Sequence, residues 1–206
     1  MKAISYIRWA ALAIAGIVVV IIGLREAISM SKTPIDLNDP AYDWSELKVG
    51  DHVEMDITYL FDQFSTTTKD GKEAVRYYAM PRIVSSDGQY YEIKDFIAVD
   101  VNDSSLNSKY DKLSSDTIDW WIDESGAEFK PETIHFDGVV KKLKDNTAGF
   151  FKDYLKQLKY EDSFINGSQY ELGIFPAQNG NIAIIIIGVL ITLVGIGGIV
   201  IKFVRK

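Results

Sequence analysis

Cysteine is absent from this chain of 206 residues, and histidine occurs only twice. The lack of thiols excludes a disulfide scaffold, an iron–sulfur cluster, a zinc–thiolate site and a cysteine nucleophile. Two histidines leave little for a metal centre built from imidazole ligands. We therefore expect neither a bound metal nor a cofactor.

The motifs of several common enzyme classes are missing as well. The chain contains no Gly-x-x-x-x-Gly-Lys phosphate loop, no His-Glu-x-x-His zinc motif and no Gly-x-Ser-x-Gly nucleophile elbow. The sequence therefore lacks the usual catalytic signatures.

Uncharged apolar residues are concentrated in two long runs near the ends of the chain. One run covers 16 residues, 9–24, and the other covers 20 residues, 182–201. A helix needs about 20 apolar residues to cross a bilayer, so these runs predict transmembrane helices at 9–25 and 182–201. Neither run contains an ionisable residue in its interior, which favours membrane anchors over a transport pathway.

A cleaved signal peptide is the alternative interpretation of the first run. Basic residues Lys2 and Arg8 precede the run, and residues 27–29 (Ala-Ile-Ser) weakly match a cleavage site. The pair Arg25-Glu26 stands between the run and that site, which disfavours cleavage.

Charge predicts how the chain lies across the membrane. Residues 31–181 carry 16 lysine and arginine residues against 28 aspartate and glutamate residues, a net charge of −12. Basic flanks stay on the cytoplasmic side, so we predict a two-pass plasma-membrane protein with cytoplasmic ends at 1–8 and 202–206. A linker over 26–47 then leads to an extracytoplasmic domain over 48–178. The acidity of this domain disfavours nucleic acid as a partner, since binders neutralise phosphates with lysine and arginine.

Alternating apolar and polar residues indicate that the central part of the chain is rich in strands. Strands are predicted over 53–61, 75–84, 89–101, 133–143 and 170–176, and polar turns at 65–71 and 85–88. Helical spacing predicts two short helices between 103 and 124, the second capped at 114–116 (Ser-Ser-Asp) and ended by Gly126. It also predicts an amphipathic helix over 146–160. The predicted fold class is α+β, with an antiparallel sheet or small OB-like barrel and two to three helices, flanked by the two transmembrane helices.

Two residues interrupt the strand patterns. Asp95 falls on the apolar face of its predicted strand, which indicates either a bulge near Lys94 or a buried functional carboxylate. Gly138 stands inside a predicted strand, where glycine often marks a sharp bend such as a barrel corner.

The order of these features resembles a known group of proteins. The first span is followed by a strand entry at 48–51 (Lys-Val-Gly-Asp), a tyrosine-rich hairpin over 75–99, a strand over 137–143 (DGVVKKL) and the closing span. In this order the chain resembles uncharacterised two-span membrane proteins of Gram-positive anaerobes with an OB-like, β-rich extracytoplasmic domain. The resemblance implies a cell-envelope location and transfers no catalytic residue.

Surplus aromatic residues supply the candidate binding site. Helical spacing groups Trp121 with Ile118 and Ile122 and rotates Trp120 by about 100° away from them. An exposed tryptophan there could stack on a sugar, anchor a partner or rest in the membrane interface, and packing beneath a loop is the alternative. The tyrosines of the predicted hairpin form either a binding platform or stabilising cross-strand pairs. The candidate ligand- or partner-binding residues are therefore Trp120, Trp121, Tyr77, Tyr78, Tyr90 and Tyr91.

Both histidines lie near carboxylates in the sequence. His52 has Asp51 and Glu54 as neighbours, and Asp137 follows His135, so either histidine with a carboxylate could act as a general base. Each histidine is out of phase with the apolar residues of its strand, which predicts that both face solvent.

Residues 100–111 place oxygen-bearing side chains at the spacing of a calcium loop. Ser105 occupies the position where such a loop needs glycine, and a strand rather than a helix precedes the segment. A strand-to-helix connection capped by Asp103 or Ser104 explains the same residues.

The leading hypothesis is a non-enzymatic, membrane-anchored domain that binds a partner protein or an envelope ligand outside the cytoplasm. The alternatives are a metal-independent envelope hydrolase that uses His52 or His135 with a carboxylate, and a structural subunit of a membrane complex.

Overall fold

The computed structural model describes residues 2–85, 91–123, 129–177 and 181–204. The chain divides into two compact units, one made of its two ends (1–32 and 178–206) and one made of residues 33–177. The first unit is helical, and the second, the central domain, combines a sheet with helices. The predicted α+β class with an apolar helix at each end is confirmed.

The described ranges contain five α-helices and seven strands. In chain order they are α1 (Lys2–Met30), β1 (Ile35–Asp36), β2 (His52–Ile57), β3 (Gln63–Lys69), β4 (Lys72–Ser85), β5 (Tyr91–Val101), α2 (Asn107–Ile122), β6 (Ile134–Lys142), α3 (Asp145–Gln157), α4 (Asp162–Gly167), β7 (Leu172–Pro176) and α5 (Asn181–Val204).

Helices α1 and α5 are each long and apolar enough to cross a membrane, over Tyr6–Met30 and Ile182–Val204 respectively. They pack antiparallel, since the Tyr6 hydroxyl near the start of α1 donates to the carbonyl of Lys202 near the end of α5 at 3.1 Å. A Cβ atom on Gly195 would lie 2.5 Å from the backbone nitrogen of Ala13. Glycine therefore lets the two backbones approach closely, as in tightly packed membrane helices.

The seven described strands of the central domain form one sheet in the order β1-β2-β6-β7-β5-β4-β3. The β1–β2 and β5–β7 pairs are parallel, and the other neighbours are antiparallel. The predicted antiparallel sheet is thus only partly right, and the OB-like closed barrel is wrong. The sheet stays open because β7, which follows α3 and α4, inserts between β5 and β6 and leaves β1 and β3 as edges.

The predicted strand over 53–61 ends early, and a strand that the sequence did not indicate follows it. β2 stops at Ile57, and the chain then crosses towards the opposite edge of the sheet. There the Phe61 amide donates to the Ala79 carbonyl of β4 at 2.7 Å. Residues 63–69 continue as the edge strand β3 instead of the predicted polar turn. Serine and threonine suit this exposed edge, and the turn itself is confined to Asp70 and Gly71, both with positive φ.

One continuous helix replaces the two short helices predicted between 103 and 124. Ser114 does not begin a new helix, because it is buried within α2. Thr117, one turn away, donates its hydroxyl to the Leu113 carbonyl at 2.8 Å within the same helix. The predicted end of the second helix at Gly126 lies outside the described residues, whereas the predicted amphipathic helix over 146–160 is confirmed as α3.

Both faces of the sheet are covered by helices. Tyr110 and Leu113 of α2 pack into the core on one face. Phe151 and Leu155 of α3, with Ile165 of α4, pack into the core on the other face. β5 is therefore buried on both sides, in agreement with its continuous apolar run at 96–99.

The bulge predicted near Lys94 is confirmed. In the β4–β5 pair, Arg82 lies opposite Asp95 and the next residue, Ile83, lies opposite Ile93, so Lys94 is the extra residue. Gly138 stands in the middle of the open sheet between β2 and β7, and not at a barrel corner.

Candidate functional site

An open groove lies at the edge of the central domain where β3 begins. Residues 62–64 form its floor, α2 forms one wall and α3 forms the other. Since α2 and α3 cover opposite faces of the sheet, the two helices flank the sheet edge between them. The groove has a volume of about 860 Å³, which falls within the range of ligand-binding sites in proteins.

Each helix contributes one side of its surface to the groove. Residues three or four positions apart lie on the same side of a helix, and the wall residues follow this spacing. They are Asp111, Ser114, Ser115, Ile118 and Asp119 from α2, and Phe150, Asp153, Tyr154 and Gln157 from α3.

The lining of the groove is acidic. It contains Asp62, Asp111, Asp119 and Asp153, and its described residues include no lysine, arginine or histidine. Asp111 is ion-paired, because its carboxylate accepts from the Arg76 guanidinium at 2.7 Å and from the Tyr78 hydroxyl at 2.6 Å. Within the described ranges, the other three aspartates form no ion pair with a basic side chain, so the groove carries uncompensated negative charge.

Apolar surface accompanies the carboxylates. Phe64 on the floor stacks on Phe151 of α3, with ring centroids 4.3 Å apart. Phe150 on the wall is 54% exposed. On α2, Ile122 follows Ile118 by one helical turn and is 69% exposed, so it extends the apolar wall beyond the groove. The groove thus offers both anionic and apolar contacts to a ligand.

Tyr154 fixes the position of α3 against the floor. Its hydroxyl accepts a hydrogen bond from the Asp62 amide at 3.2 Å, and its ring lies against Phe64. Burial is the main cause that raises the pKa of Tyr154, and the nearby Asp62 carboxylate adds to it. The phenol therefore stays neutral and continues to hold the floor at physiological pH.

The candidate tryptophans lie at the end of α2 in an aromatic cluster. Trp120 stacks on Phe129 with centroids 4.8 Å apart, contacts Tyr59 at 5.3 Å and meets Tyr91 edge-on at 5.0 Å. Trp121 meets Phe61 edge-on at 6.1 Å and is 37% exposed. The structure therefore brings Trp120, Trp121 and Tyr91 together, with Trp120 at the centre of the cluster.

This arrangement distinguishes the two tryptophans in a stability measurement. Replacing Trp120 with alanine should lower the free energy of unfolding by about 2–3 kcal/mol, because several rings lose their packing partner. The same change at the more exposed Trp121 should cost about 1 kcal/mol or less. Denaturant unfolding of the full chain in a zwitterionic detergent measures both, and an equal loss would contradict the central role of Trp120.

The profile of the family described as Domain of unknown function (DUF8577) matches residues 1–204. The chain belongs to this family. The match extends over α1, the central domain and α5, so membership rests on both units of the chain. Neither a curated protein nor a solved structure shows significant similarity to it.

In this DUF8577 protein the described tyrosines of the β4–β5 hairpin, Tyr77, Tyr78 and Tyr91, do not pair with one another across the strands. Tyr77 lies opposite Asp100, Tyr78 opposite Val99 and Tyr91 opposite Ser85. The interpretation as cross-strand aromatic pairs is therefore wrong for these three tyrosines. Tyr91 lies at the turn end of the hairpin, whereas Tyr77 and Tyr78 lie at its far end. Tyr90 lies outside the described residues.

Tyr77 and Tyr78 are buried on opposite sides of β4, with 8% and 1% exposure. Tyr77 belongs to the core beneath α3, and Tyr78 to the core beneath α2. Burial is the main cause that raises the pKa of Tyr78 to about 12, so its hydroxyl stays protonated and donates to Asp111 in the groove. Tyr78 thus supports the groove from below.

The two histidines of this DUF8577 protein lie on strands β2 and β6, and neither is among the residues that line the groove. His52 is 9% exposed and places Nε2 at 2.6 Å from Asp137 Oδ1. The prediction that His52 faces solvent is wrong, because Asp137 on the neighbouring strand covers it. His135 is exposed as predicted, with Nδ1 at 3.0 Å from Asp56 Oδ1. Each histidine is thus paired with a carboxylate on the neighbouring strand. The serines of the groove belong to a different element, α2.

Two further carboxylates are buried in the core. Asp95 accepts hydrogen bonds from the amides of Phe96 at 2.6 Å and Gln169 at 2.8 Å, so it holds the segment that leads into β7. Asp100 accepts a hydrogen bond from Tyr77, and its Oδ1 has no partner among the described residues. Burial raises the pKa of both carboxyl groups to about 6.

The calcium-loop hypothesis for residues 100–111 does not describe their geometry. Asp103 caps the turn before α2 by accepting from the Ser105 amide at 2.9 Å, which confirms the capped strand-to-helix connection. Asp111 points to Arg76 and Tyr78 instead. Across the described ranges, no group of three or more potential metal ligands occurs.

Apart from Tyr78, the groove residues were missed by reasoning from the sequence. Asp111, Asp119 and Asp153 belong to helices whose polar positions look like ordinary solvated faces. The signal that could have found them is an acidic residue beside an apolar residue on the surface of each helix. These pairs are Ile118 with Asp119 on α2 and Phe150 with Asp153 on α3. Only the sheet edge between the helices brings the two surfaces together.

Proposed function

We propose that this DUF8577 protein is a two-pass membrane protein whose central domain faces the extracytoplasmic side and binds a partner through the acidic groove. The observation that carries this proposal is the groove itself, an open site of about 860 Å³ with uncompensated carboxylates and exposed apolar side chains. The cell envelope is the location that such a tethered, outward-facing domain would have.

The membrane part of the proposal rests on the surface of the helical unit. Most apolar side chains of α1 and α5 point away from their mutual contact, for example Ile14, Ile22 and Leu190. Water would not tolerate so large an apolar surface, whereas a bilayer would cover it. Antiparallel packing of the two helices agrees with both termini on one side of the membrane.

The orientation rests on charge. The positive-inside rule assigns the basic flanks to the cytoplasm, and the domain between the helices carries the net charge of −12. The binding role rests on the position of the groove, whose lining includes carboxylates, hydroxyls and apolar side chains but neither of the histidines that a hydrolase would use. The carboxylates are arranged to hold a ligand.

The absence of native cysteine permits a direct test with single introduced cysteines. On intact cells, a membrane-impermeant maleimide should label Ser115→Cys, which lies in the groove, and should not label Lys2→Cys or Lys206→Cys. All three should be labelled after permeabilisation. Ala98→Cys, at a fully buried position, is the control that stays unlabelled until the protein is denatured.

Labelling of Lys2→Cys or Lys206→Cys on intact cells, with Ser115→Cys protected, would overturn the proposed orientation. Protection of Ser115→Cys even after permeabilisation would show that the groove is closed and would remove the binding role.

A further inference from the structure

We infer that the groove binds a short peptide segment of a partner protein in which lysine or arginine side chains occur together with apolar ones. This inference rests on the proposed function, since it names the partner of the same site. Three features of the groove support it: its charge, its apolar walls and the distribution of its carboxylates.

Charge complementarity defines the polar half of the ligand. Asp62 on the floor, Asp119 on α2 and Asp153 on α3 lie on three different sides of the groove and form no ion pair with a basic side chain in the described part of the chain. An anionic ligand would be repelled by all three, whereas a cationic ligand would meet one carboxylate on each side. Among the described carboxylates, Arg76 forms ion pairs with Asp111 and Glu73, so its charge does not offset these three aspartates.

Apolar contacts define the other half of the ligand. Phe64, Phe150 and Ile118 line the groove between the carboxylates. Exposed Ile122 continues the same wall by one helical turn. A simple polycation would leave this apolar surface in water, whereas a peptide with alternating cationic and apolar side chains would cover it.

The distribution of the carboxylates over different walls favours several separate cationic groups over a single metal ion as the ligand. The described residues contain no group of three or more potential metal ligands, because the aspartates belong to different walls of the groove. Separated carboxylates suit several cationic groups along one chain. A peptide segment therefore fits the site better than a compact cation does.

Binding can be measured by fluorescence anisotropy with the full chain in phosphatidylcholine nanodiscs. The probe is a labelled hexapeptide of alternating lysine and leucine, and empty nanodiscs give the lipid background. We expect saturable binding that weakens as salt is raised from about 0.05 to 0.5 M, because exposed charges are screened. The corresponding hexapeptide of glutamate and leucine should bind at least tenfold more weakly.

Paired variants locate the site. The double variant Asp119→Asn with Asp153→Asn should weaken binding of the lysine–leucine peptide about fivefold, since each exposed ion pair contributes about a factor of two to three. The control double variant Glu46→Gln with Glu171→Gln removes the same charge from exposed positions outside the groove, and it should leave binding within a factor of two. Thermal unfolding confirms that both variants are folded.

Equal effects of the two double variants would overturn the inference, because they would show attraction to overall charge alone. Displacement of the peptide by equimolar spermine would also overturn it and would indicate a polyamine site. If the lysine–leucine peptide fails to bind while Ser115→Cys is labelled from outside the cell, the inference fails and the proposed function stands. A maleimide-labelling pattern that indicates the opposite orientation would overturn the proposed function, whether or not the peptide binds.

Discussion

Replacing Gly138 with valine is expected to destabilise the central domain by about 3 kcal/mol. Gly138 lies in β6 between β2 and β7, and a Cβ atom there would stand 2.5 Å from the Phe175 carbonyl oxygen and 2.7 Å from Cε1 of Phe136. The carbonyl oxygen belongs to the backbone of the neighbouring strand, so it cannot move aside as the end of a flexible side chain would. Overpacking at such a contact forces the strands apart.

Gly149 provides the matched control for this substitution. It lies on the exposed side of α3, and nothing stands within 4 Å of a Cβ atom placed there. Gly149→Ala should leave the free energy of unfolding unchanged or raise it by up to about 1 kcal/mol, because alanine favours the helix. Denaturant unfolding of the full chain measures both variants, and a Gly138→Val protein as stable as the parent would refute the packing described for β6 and β7.

The second large effect is expected from Asp100 and depends on pH. Burial raises the pKa of this carboxyl from 3.8 to about 6, while the Tyr77 hydroxyl and Lys141 oppose the shift. The folded state therefore binds the proton more tightly than the unfolded state does. The stability that this group contributes is fully present below about pH 3.8 and is lost as the pH rises through about 6.

Asp100→Asn should consequently stabilise the protein at pH 7, because it removes a buried charge and keeps an oxygen to accept from Tyr77. The rise in pKa from 3.8 to about 6 corresponds to a gain in stability of about 3 kcal/mol at most. The gain will be smaller, because the polar atom at the Oδ1 position has no hydrogen-bond partner among the described residues. The difference in unfolding free energy between variant and parent should grow between about pH 4 and 6 and then level off.

Denaturant unfolding at several pH values between 4 and 8 provides the measurement. Asp153→Asn, an exposed position in the groove, is the control and should change stability by no more than about 0.5 kcal/mol. If the difference in unfolding free energy between Asp100→Asn and the parent is constant across this pH range, burial does not raise the pKa of Asp100.

Local patterns predicted several elements correctly because neighbouring residues alone determine them. The bulge at Lys94 was indicated by the phase of Asp95 relative to the apolar residues around it, and α3 by its amphipathic spacing. The Asp103 cap was likewise visible in the sequence, since a cap acts within a few residues.

The errors occurred where distant segments decide the outcome. The pattern around Ser114 is typical of the start of a helix. Ser114 is instead buried inside α2, where its hydroxyl donates a hydrogen bond to the Asp62 carboxylate at 3.4 Å. His52 looked exposed, but Asp137 on the adjacent strand covers it. The polar residues 63–69 looked like a turn, yet pairing with β4 makes them a strand.

By itself, the amino-acid sequence determined the two apolar helices, the acidic character of the domain between them and the α+β class, because composition and short periodic patterns are properties of contiguous residues. The tertiary structure alone decided that the sheet stays open, that Tyr77 and Tyr78 are buried and that α2 and α3 face each other across the edge of β3. Those outcomes depend on which strands pair over long sequence distances, and strand pairing is set by the packing of the whole domain.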